Sequence, residues 1–266
     1  MDLELRGKVA VVTGGSRGIG KAIARELALE GADIALVARN AEPLEETRKE
    51  LADQTGRRFV GITADTSSDE SIRAMGRQVL ESFGRVDILV NAAAKPGGQQ
   101  PPPKLHEIDT AAFDDELHTK VLGYLRCARE VVPSMKQHGW GRIINISGLA
   151  ARSTGTILGS IRNVSVVALT KNLADELGPH GINVTVVHPG GTRTEKTPDV
   201  VAGRAEAQGL TIEEVERQMA AGNSINHFVD AREVAYVVAF LASPKSIAIN
   251  GDVIAAGGGV PRAIHY

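Results

Sequence analysis

The fold is decided early in the chain, by the stretch Val9-Ala10-Val11-Val12-Thr13-Gly14-Gly15-Ser16-Arg17-Gly18-Ile19-Gly20. Its first four residues are apolar and predict a buried strand, and the glycines then permit a tight turn into a helix. Glycines at 14, 18 and 20 let a phosphate approach the free N–H groups of that helix, where the helix dipole favours an anion. The stretch therefore predicts a dinucleotide site, with a plain tight turn as the alternative.

Short apolar strands alternate with helices along the rest of the chain. Strands are predicted at Val9–Val12, Ile34–Val37, Arg58–Ile62, Val86–Val90, Arg142–Ile146, Ile182–Val187 and Asp252–Ala256. Helices are predicted at Gly20–Glu30, about Pro43–Gln54, Asp69–Phe83, a stripe from Phe113 to Met135, about Ser160–Leu177 and about Ala231–Ala242. This pattern predicts one domain over residues 1–266, an α/β fold with a doubly wound, Rossmann-type parallel sheet and helices on both faces.

Two segments interrupt the alternation. Residues 95–103 end in three consecutive prolines and are predicted as a loop, because proline continues neither a helix nor an inner strand. Residues 191–228 are long and polar, and are predicted as a partly helical insertion that covers the substrate.

Composition narrows the classes of function. A net charge of -2 gives no electrostatic footprint for nucleic acid or an anionic membrane. The N-terminus lacks the features of a signal peptide, and no apolar run approaches the ~20 residues of a membrane span. The single cysteine, Cys127, lies on an apolar helix stripe and is predicted to be a small buried residue. These features predict a soluble cytoplasmic protein, and no metal site is predicted.

Four segments together resemble the short-chain dehydrogenase/reductase family, and the resemblance covers nearly the whole chain. They are the glycine-rich turn, Asp65 after the third strand, Asn91-Ala92-Ala93-Ala94 after the fourth, and Pro189-Gly190-Gly191-Thr192-Arg193-Thr194 after the sixth. The resemblance implies cofactor contacts from Gly14, Ser16, Arg17, Gly18, Ile19, Gly20, Arg39, Asp65, Thr66, Asn91, Ala92, Ala93, Pro189, Gly190, Thr192 and Thr194.

The charge after the second strand bears on the choice of cofactor. An acidic residue there would bind the ribose 2′-OH and repel a 2′-phosphate. This chain has Ala38-Arg39 instead, and Arg17 in the turn is a second cation. Two guanidinium groups suit a 2′-phosphate, so NADP(H) is favoured over NAD(H). The alternative is that Arg39 is a solvated surface residue.

The catalytic set that the resemblance implies, Ser with a Tyr-x-x-x-Lys pair and a helix Asn, is missing. Counting back from Val166 to Ala174 places Gly159 at the tyrosine position and Asn163 at the lysine position. Counting forward from Asn145 gives Ile161 and Ser165, so both residues are absent in either register. Gly148 stands at the serine position, and Lys120 stands at the position of the asparagine.

Four side chains are candidate catalytic substitutes. Lys120 and Tyr124 are four residues apart on one helix, where they either form a relocated pair or serve packing and a subunit interface. The Ser147 side chain either rotates into the position of the lost serine or stays outside it. Asn163 either binds a ribose hydroxyl or is structural.

Three further positions carry side chains of suitable chemistry, each with a plainer alternative. Lys95 follows the Asn91 turn but is predicted to be solvated. His188 precedes Pro189 and is predicted to be a packed or capping residue. His265-Tyr266 ends the chain, where fraying is the default.

Three functions remain open from the sequence. The first is an NADP(H)-dependent oxidoreductase that acts on a small carbonyl or alcohol through a rebuilt proton-transfer group. The second is a redox-neutral lyase or hydrolase that keeps the nucleotide. The third is a non-catalytic subunit that binds nucleotide or an active homologue. The resemblance implies a homo-oligomer, a tetramer or dimer, with a hetero-oligomer under the third hypothesis.

Overall fold

A computed structural model describes residues 1–94 and 102–264. Within these residues, seven parallel strands form one sheet in the order β3-β2-β1-β4-β5-β6-β7. The strands are β1 Val9–Thr13, β2 Asp33–Ala38, β3 Phe59–Thr63, β4 Ile88–Asn91, β5 Gly141–Ile146, β6 Ile182–Pro189 and β7 Val253–Ala256. The predicted doubly wound sheet is confirmed.

Helices cover both faces of this sheet. They are α1 Gly18–Leu29, α2 Ala41–Thr55, α3 Asp69–Phe83, α4 Thr110–Glu116, α5 Gly123–His138, α6 Ile157–Leu177, α7 Thr197–Gln208, α8 Ile212–Ala220 and α9 Ala231–Ala242. Alternate residues of β1 serve opposite faces: Val12 packs in the core that α1, α2 and α9 cover, and Val11 in the core that α3, α5 and α6 cover. Strands buried on both faces explain the continuous apolar runs in the sequence.

Three boundaries differ from the sequence predictions in ways that matter for the site. Helix α1 begins at Gly18, two residues before the predicted Gly20, so its free N–H groups lie within the glycine-rich turn. The stripe from Phe113 to Met135 is divided by a six-residue π-helical turn, Leu117–Leu122. Helix α6 begins at Ile157, three residues earlier than predicted, because the Thr156 side chain caps it by accepting from Gly159 N.

The predicted insertion 191–228 contains α7 and α8. Its first residues are hydrogen-bonded to the residues around the start of α9. Arg193 N donates to Val229 O at 2.7 Å, and Ala231 N donates to Arg193 O at 3.0 Å. The Arg193 guanidinium also lies 5.0 Å from the centre of the Phe228 ring and 3.3 Å from a Glu216 carboxylate oxygen. The beginning of the insertion is therefore held against the body of the fold.

Some predictions fall on residues 95–101 and 265–266, which lie outside the described residues; they concern Lys95, most of the proline-rich segment, and His265-Tyr266. Among the helices that are described, none is both long and apolar enough to cross a membrane. In the same part of the chain, no group of three or more acidic, histidine or cysteine side chains is placed to hold a metal ion.

Candidate active site

The glycine-rich turn is packed so closely at Gly14 and Gly20 that neither position has room for a side chain. A Cβ at Gly14 would lie 2.9 Å from the Ala92 carbonyl carbon, and a Cβ at Gly20 would lie 2.3 Å from Gly14 O. Gly18 has a φ of 57°, in the left-handed region that favours glycine. These constraints explain the spacing Gly-x-x-x-Gly-x-Gly, and the three glycines place no side chain at the N-terminus of α1.

The end of β4 is fixed to the end of β1. The Thr13 hydroxyl accepts from Ala92 N at 3.1 Å and from Ala93 N at 3.2 Å. The buried Asn91 amide donates to Asn145 Oδ1 at 2.9 Å, and the Asn145 amide donates to the Thr170 hydroxyl at 2.9 Å. The side chain of Asn91 therefore ties β4 to β5, and among the described residues its Oδ1 has no hydrogen-bond partner.

Charged residues gather where the adenosine end of a dinucleotide is expected. Arg17 and Arg39 are both exposed. Burial opposes ionisation of Asp65, but hydrogen bonds from Ser67 and the nearby Arg39 charge hold the pKa of Asp65 below its ordinary value. The Thr66 hydroxyl is buried and donates to Thr119 O at 3.0 Å. Its hydrogen is therefore already bonded to the π-helical turn that contains Thr119.

The other predicted cofactor positions have structural roles here. Ser16 O accepts from the Thr47 hydroxyl at 2.9 Å, and Ile19 packs on the core under α1. Pro189 ends β6, and a Cβ at Gly190 would lie 3.2 Å from Leu149 Cδ1. In the same turn, the Thr192 hydroxyl donates to Gly190 O at 3.0 Å.

The catalytic candidates Lys120, Ser147 and Asn163 form one cluster at the carboxyl end of β5. Lys120 comes from the π-helical turn, and its Nζ lies 3.0 Å from Ser147 O and 3.0 Å from Asn163 Oδ1. The Ser147 hydroxyl donates to Asn163 O at 3.1 Å. π-Helical turns are rare in proteins, and those that occur are often found at functional sites. Three chain segments thus place an ammonium, a hydroxyl and an amide together.

Burial sets the chemistry of Lys120. Its side chain is only 3% exposed, so it is an interior group and not a surface lysine that awaits a partner. Burial lowers the pKa of Lys120 to about 7, the positive charge of Arg162 adds to the shift, and Glu116 opposes it. Arg162 and Glu116 form an ion pair between α6 and α4. A lysine in this state exchanges its proton near neutral pH.

Tyr124 stands apart from this cluster. It is 1% exposed, and its hydroxyl donates to Ile146 O at 2.8 Å. Burial raises its pKa far above the ordinary value for tyrosine. The ammonium of Lys120 makes its hydrogen bonds with Ser147 and Asn163, so Lys120 and Tyr124 do not form the relocated pair. Tyr124 packs in the stripe, as the plainer alternative predicts, but the part of that alternative that places Lys120 at a subunit interface is wrong, because Lys120 is buried inside the chain.

Gly159 and Gly148 each lie close to a neighbouring side chain. A Cβ at Gly159 would lie 2.7 Å from Thr156 Cγ2, and a Cβ at Gly148 would lie 3.0 Å from Asn163 Nδ2. Gly148 N donates to His188 Nδ1 at 3.3 Å. Burial, together with the Arg152 and Lys120 charges, lowers the pKa of His188 to about 4, so its ring is neutral and accepts this bond. His188 is thus a packed residue under the site.

Sequence reasoning missed two contributors to this region. The Arg162–Glu116 ion pair lies near enough to Lys120 for both charges to act on its pKa. The Glu195 carboxylate accepts from Gly18 N, at 2.9 Å to one oxygen and 3.1 Å to the other. Neither pairing has a local signal, because the residues are 46 and 177 positions apart.

The sheet order and the glycine-rich turn between β1 and α1 define a Rossmann-type protein, in which ligands bind beyond the carboxyl ends of the strands. A family model described as short chain dehydrogenase matches residues 8–205. The chain therefore belongs to the short-chain dehydrogenase family, which makes it an oxidoreductase.

Individual relatives agree with this assignment over nearly their whole lengths. The short-chain reductase protein NovJ of Streptomyces niveus is 32% identical over 95% of this chain and 94% of its own. The NADPH-dependent reductase BacG of Bacillus subtilis is 31% identical over 97% of this chain and 99% of its own. The crystal structure of L-sorbose reductase from Gluconobacter frateurii, complexed with NADPH and L-sorbose, matches with a TM-score of 0.93 at 29% identity, over 99% of this chain and 100% of that one.

Proposed function

We propose that this protein is an NADP(H)-dependent reductase of a small carbonyl compound, with Lys120 at the centre of its proton-transfer group. The observation that carries the proposal is the pair of 3.0 Å contacts from the buried Lys120 ammonium to Ser147 O and Asn163 Oδ1. Residues 148–170 contain neither tyrosine nor lysine, so a titrating group for this site has to come from elsewhere in the chain.

The residues of the turn fit a dinucleotide. The glycine backbone at the start of α1 is free of Cβ atoms, and its Gly18 N–H already binds a carboxylate. Arg17 and Arg39 supply positive charge for a 2′-phosphate, which favours NADP(H). The relatives named as NADPH-dependent or complexed with NADPH support the same choice. Bound NADPH would supply the hydride to the carbonyl carbon.

Lys120 then provides two effects that the reduction needs. Its positive charge, buried in a low-dielectric region, stabilises negative charge that develops on the substrate oxygen. Its pKa of about 7 lets Nζ hold a proton below neutral pH and release it at little cost above. Ser147, half-buried beside it, supplies the hydroxyl of the cluster and donates it to Asn163 O. Asn163 orients the ammonium through its Oδ1.

The direct test is NADPH oxidation, followed by absorbance, over a panel of ketoses, small ketones, imines and enones. Lys120→Met should lower kcat/KM by about 10²–10⁴, the usual contribution of general acid–base catalysis. The wild-type rate of carbonyl reduction should fall as pH rises through about 7, because Lys120 loses its proton there.

Lys171→Met is the matched control, since Lys171 is an exposed lysine on α6 that pairs with Asp175. It should leave both the rate and the pH profile unchanged. A Lys120→Met protein that is folded, binds NADPH and keeps the wild-type profile would contradict the role of Lys120. Turnover without net oxidation of NADPH would instead favour the redox-neutral alternative.

A further inference from the structure

The Glu195 carboxylate contacts the glycine-rich turn where the proposed function places a dinucleotide. Both oxygens of the Glu195 carboxylate lie within hydrogen-bond distance of Gly18 N, at 2.9 and 3.1 Å. Gly18 is the first residue of α1, and no side chain of the preceding residue caps this helix. An acidic side chain 177 positions away thus satisfies a free N–H group at the positive end of the helix dipole.

The turn that carries Glu195 is held on both sides. Before it, Arg193 is hydrogen-bonded to Val229 and Ala231 through its backbone. After it, the Thr197 hydroxyl accepts from Thr194 N at 2.8 Å, and Thr197 N donates to Thr194 O at 3.0 Å. Thr197 is the first residue of α7 and is buried. The carboxylate is therefore presented from a built turn that leads directly into α7.

This contact uses the place that an anionic ligand of the turn needs. The N-terminus of a helix after a glycine-rich turn attracts phosphate because of its free N–H groups and dipole. Two anions at one helix N-terminus repel each other, and only one can take the donated hydrogen bond. Thr194, beside Glu195, has its Cγ2 within 3.8 Å of a Cβ built on Gly18, so the turn lies directly over this end of the helix.

We propose that Glu195 is an internal competitor for the diphosphate of the dinucleotide: it occupies the N-terminus of α1 in the free protein and leaves when the cofactor binds. The proposal rests on the cofactor site of the proposed function. Release of Glu195 removes this contact between α1 and the turn 194–197, while the turn keeps its own hydrogen bonds. Cofactor binding is thereby coupled to a contact that the 191–228 segment makes with the glycine-rich turn.

The experiment measures dissociation constants of NADP⁺ and NAD⁺ by calorimetric titration. Glu195→Gln removes the charge and keeps the shape, and should tighten both dinucleotides by about tenfold. The factor should be the same for both, because the two share the diphosphate and differ in the 2′-phosphate. Glu195→Ala, which removes the acceptor as well as the charge, should tighten both by at least as much. Glu213→Gln, an exposed neutralisation on α8, is the matched control and should change neither constant.

A second substitution separates this inference from the cofactor assignment. Arg39→Ser should weaken the binding of NADP⁺ and leave the binding of NAD⁺ unchanged. This differs from Glu195→Gln, which should tighten the binding of both dinucleotides equally. Dissociation constants of Glu195→Gln within twofold of wild type, or weaker, overturn the inference while the proposed function stands. Absence of dinucleotide binding by both proteins overturns the proposed function, and the inference with it.

Discussion

Lys120 shows how the position of one residue changes its chemistry. An exposed lysine keeps its proton until far above neutral pH, and its flexible stem gives it little catalytic use. Here the same side chain lies in the interior, on a π-helical turn, with two oxygen acceptors at 3.0 Å. The neighbouring Arg162 adds a second positive charge, and Glu116 balances only one of the two.

This burial should be visible in the pH dependence of stability. The pKa of Lys120 falls from 10.5 to about 7 on folding, so between these values the unfolded chain binds a proton that the folded protein has released. Unfolding free energy of the wild type should therefore rise from pH 7 towards pH 10, by up to ~1.4 kcal/mol per pH unit from this group.

Lys120→Met lacks this contribution. Chemical denaturation at pH 7, 8 and 9 measures the unfolding free energies of both proteins. The unfolding free energy of the wild type should rise steadily with pH relative to that of Lys120→Met. Lys171→Met again serves as the control and should follow the wild-type curve. Parallel curves for wild type and Lys120→Met would show that Lys120 keeps an ordinary pKa.

At the scale of elements, the first turn of α6 depends on a balance between a cap and a glycine. Thr156 caps the helix by accepting from Gly159 N at 3.2 Å. The same side chain fills the space where a Cβ of residue 159 would stand, with Cγ2 at 2.7 Å and Oγ1 at 2.9 Å. Glycine in a helix is itself unfavourable by ~0.5–1 kcal/mol relative to alanine.

A double-mutant cycle tests this balance. Gly159→Ala should destabilise the wild type, because the new methyl group collides with Thr156. Thr156→Ala should cost ~1 kcal/mol through loss of the cap. In the Thr156→Ala background, Gly159→Ala should instead stabilise, by ~0.5–1 kcal/mol, because only helix propensity remains. Thermal or urea unfolding of the four proteins gives the signs, and additive effects would disprove the steric coupling.

Elements differ in how far the sequence predicts them. Strands β1 and β2 and the glycine-rich turn are predictable because their local patterns admit few alternatives, as Gly14 and Gly20 show by excluding any Cβ. The π-helical turn at Leu117–Leu122 is not, because the apolar stripe on either side keeps a helical period. The clustering of Lys120, Ser147 and Asn163 follows from the packing of α6 against β6 and the π-helical turn, so it depends on tertiary structure. The contact of Glu195 with Gly18 joins distant segments and has no local signal at all.

At the scale of the whole molecule, α5 and α6 carry apolar side chains on their outer surfaces. Ile157, Ile161 and Val164 follow each other at helical spacing along α6 and are 44%, 42% and 50% exposed, and Leu125 on α5 is 37% exposed. Residues three and four positions apart share a helix face, so the three residues of α6 form one stripe. An apolar stripe of this kind is typical of an interface between subunits.

We propose that the chain forms a homo-oligomer through this surface. The double substitution Ile161→Glu with Val164→Glu should dissociate the assembly, because it would bury carboxylates against apolar side chains. Light scattering coupled to size-exclusion chromatography measures the mass of both proteins. Ile212→Glu, on an isoleucine of α8 that is 52% exposed, should leave the mass unchanged. A monomeric wild type would exclude this arrangement.

The contact between Thr156 and residue 159 also bears on redesign of the site. A side chain at 159 would place its Cβ 2.7 Å from Thr156 Cγ2, and a side chain at 148 would place its Cβ 3.0 Å from Asn163 Nδ2. A tyrosine at 159 therefore requires Thr156 to turn away or to be replaced, and a serine at 148 requires a smaller shift of the Asn163 side chain. An engineer who wishes to install a tyrosine and a lysine in α6 has to redesign the cap of that helix in the same step.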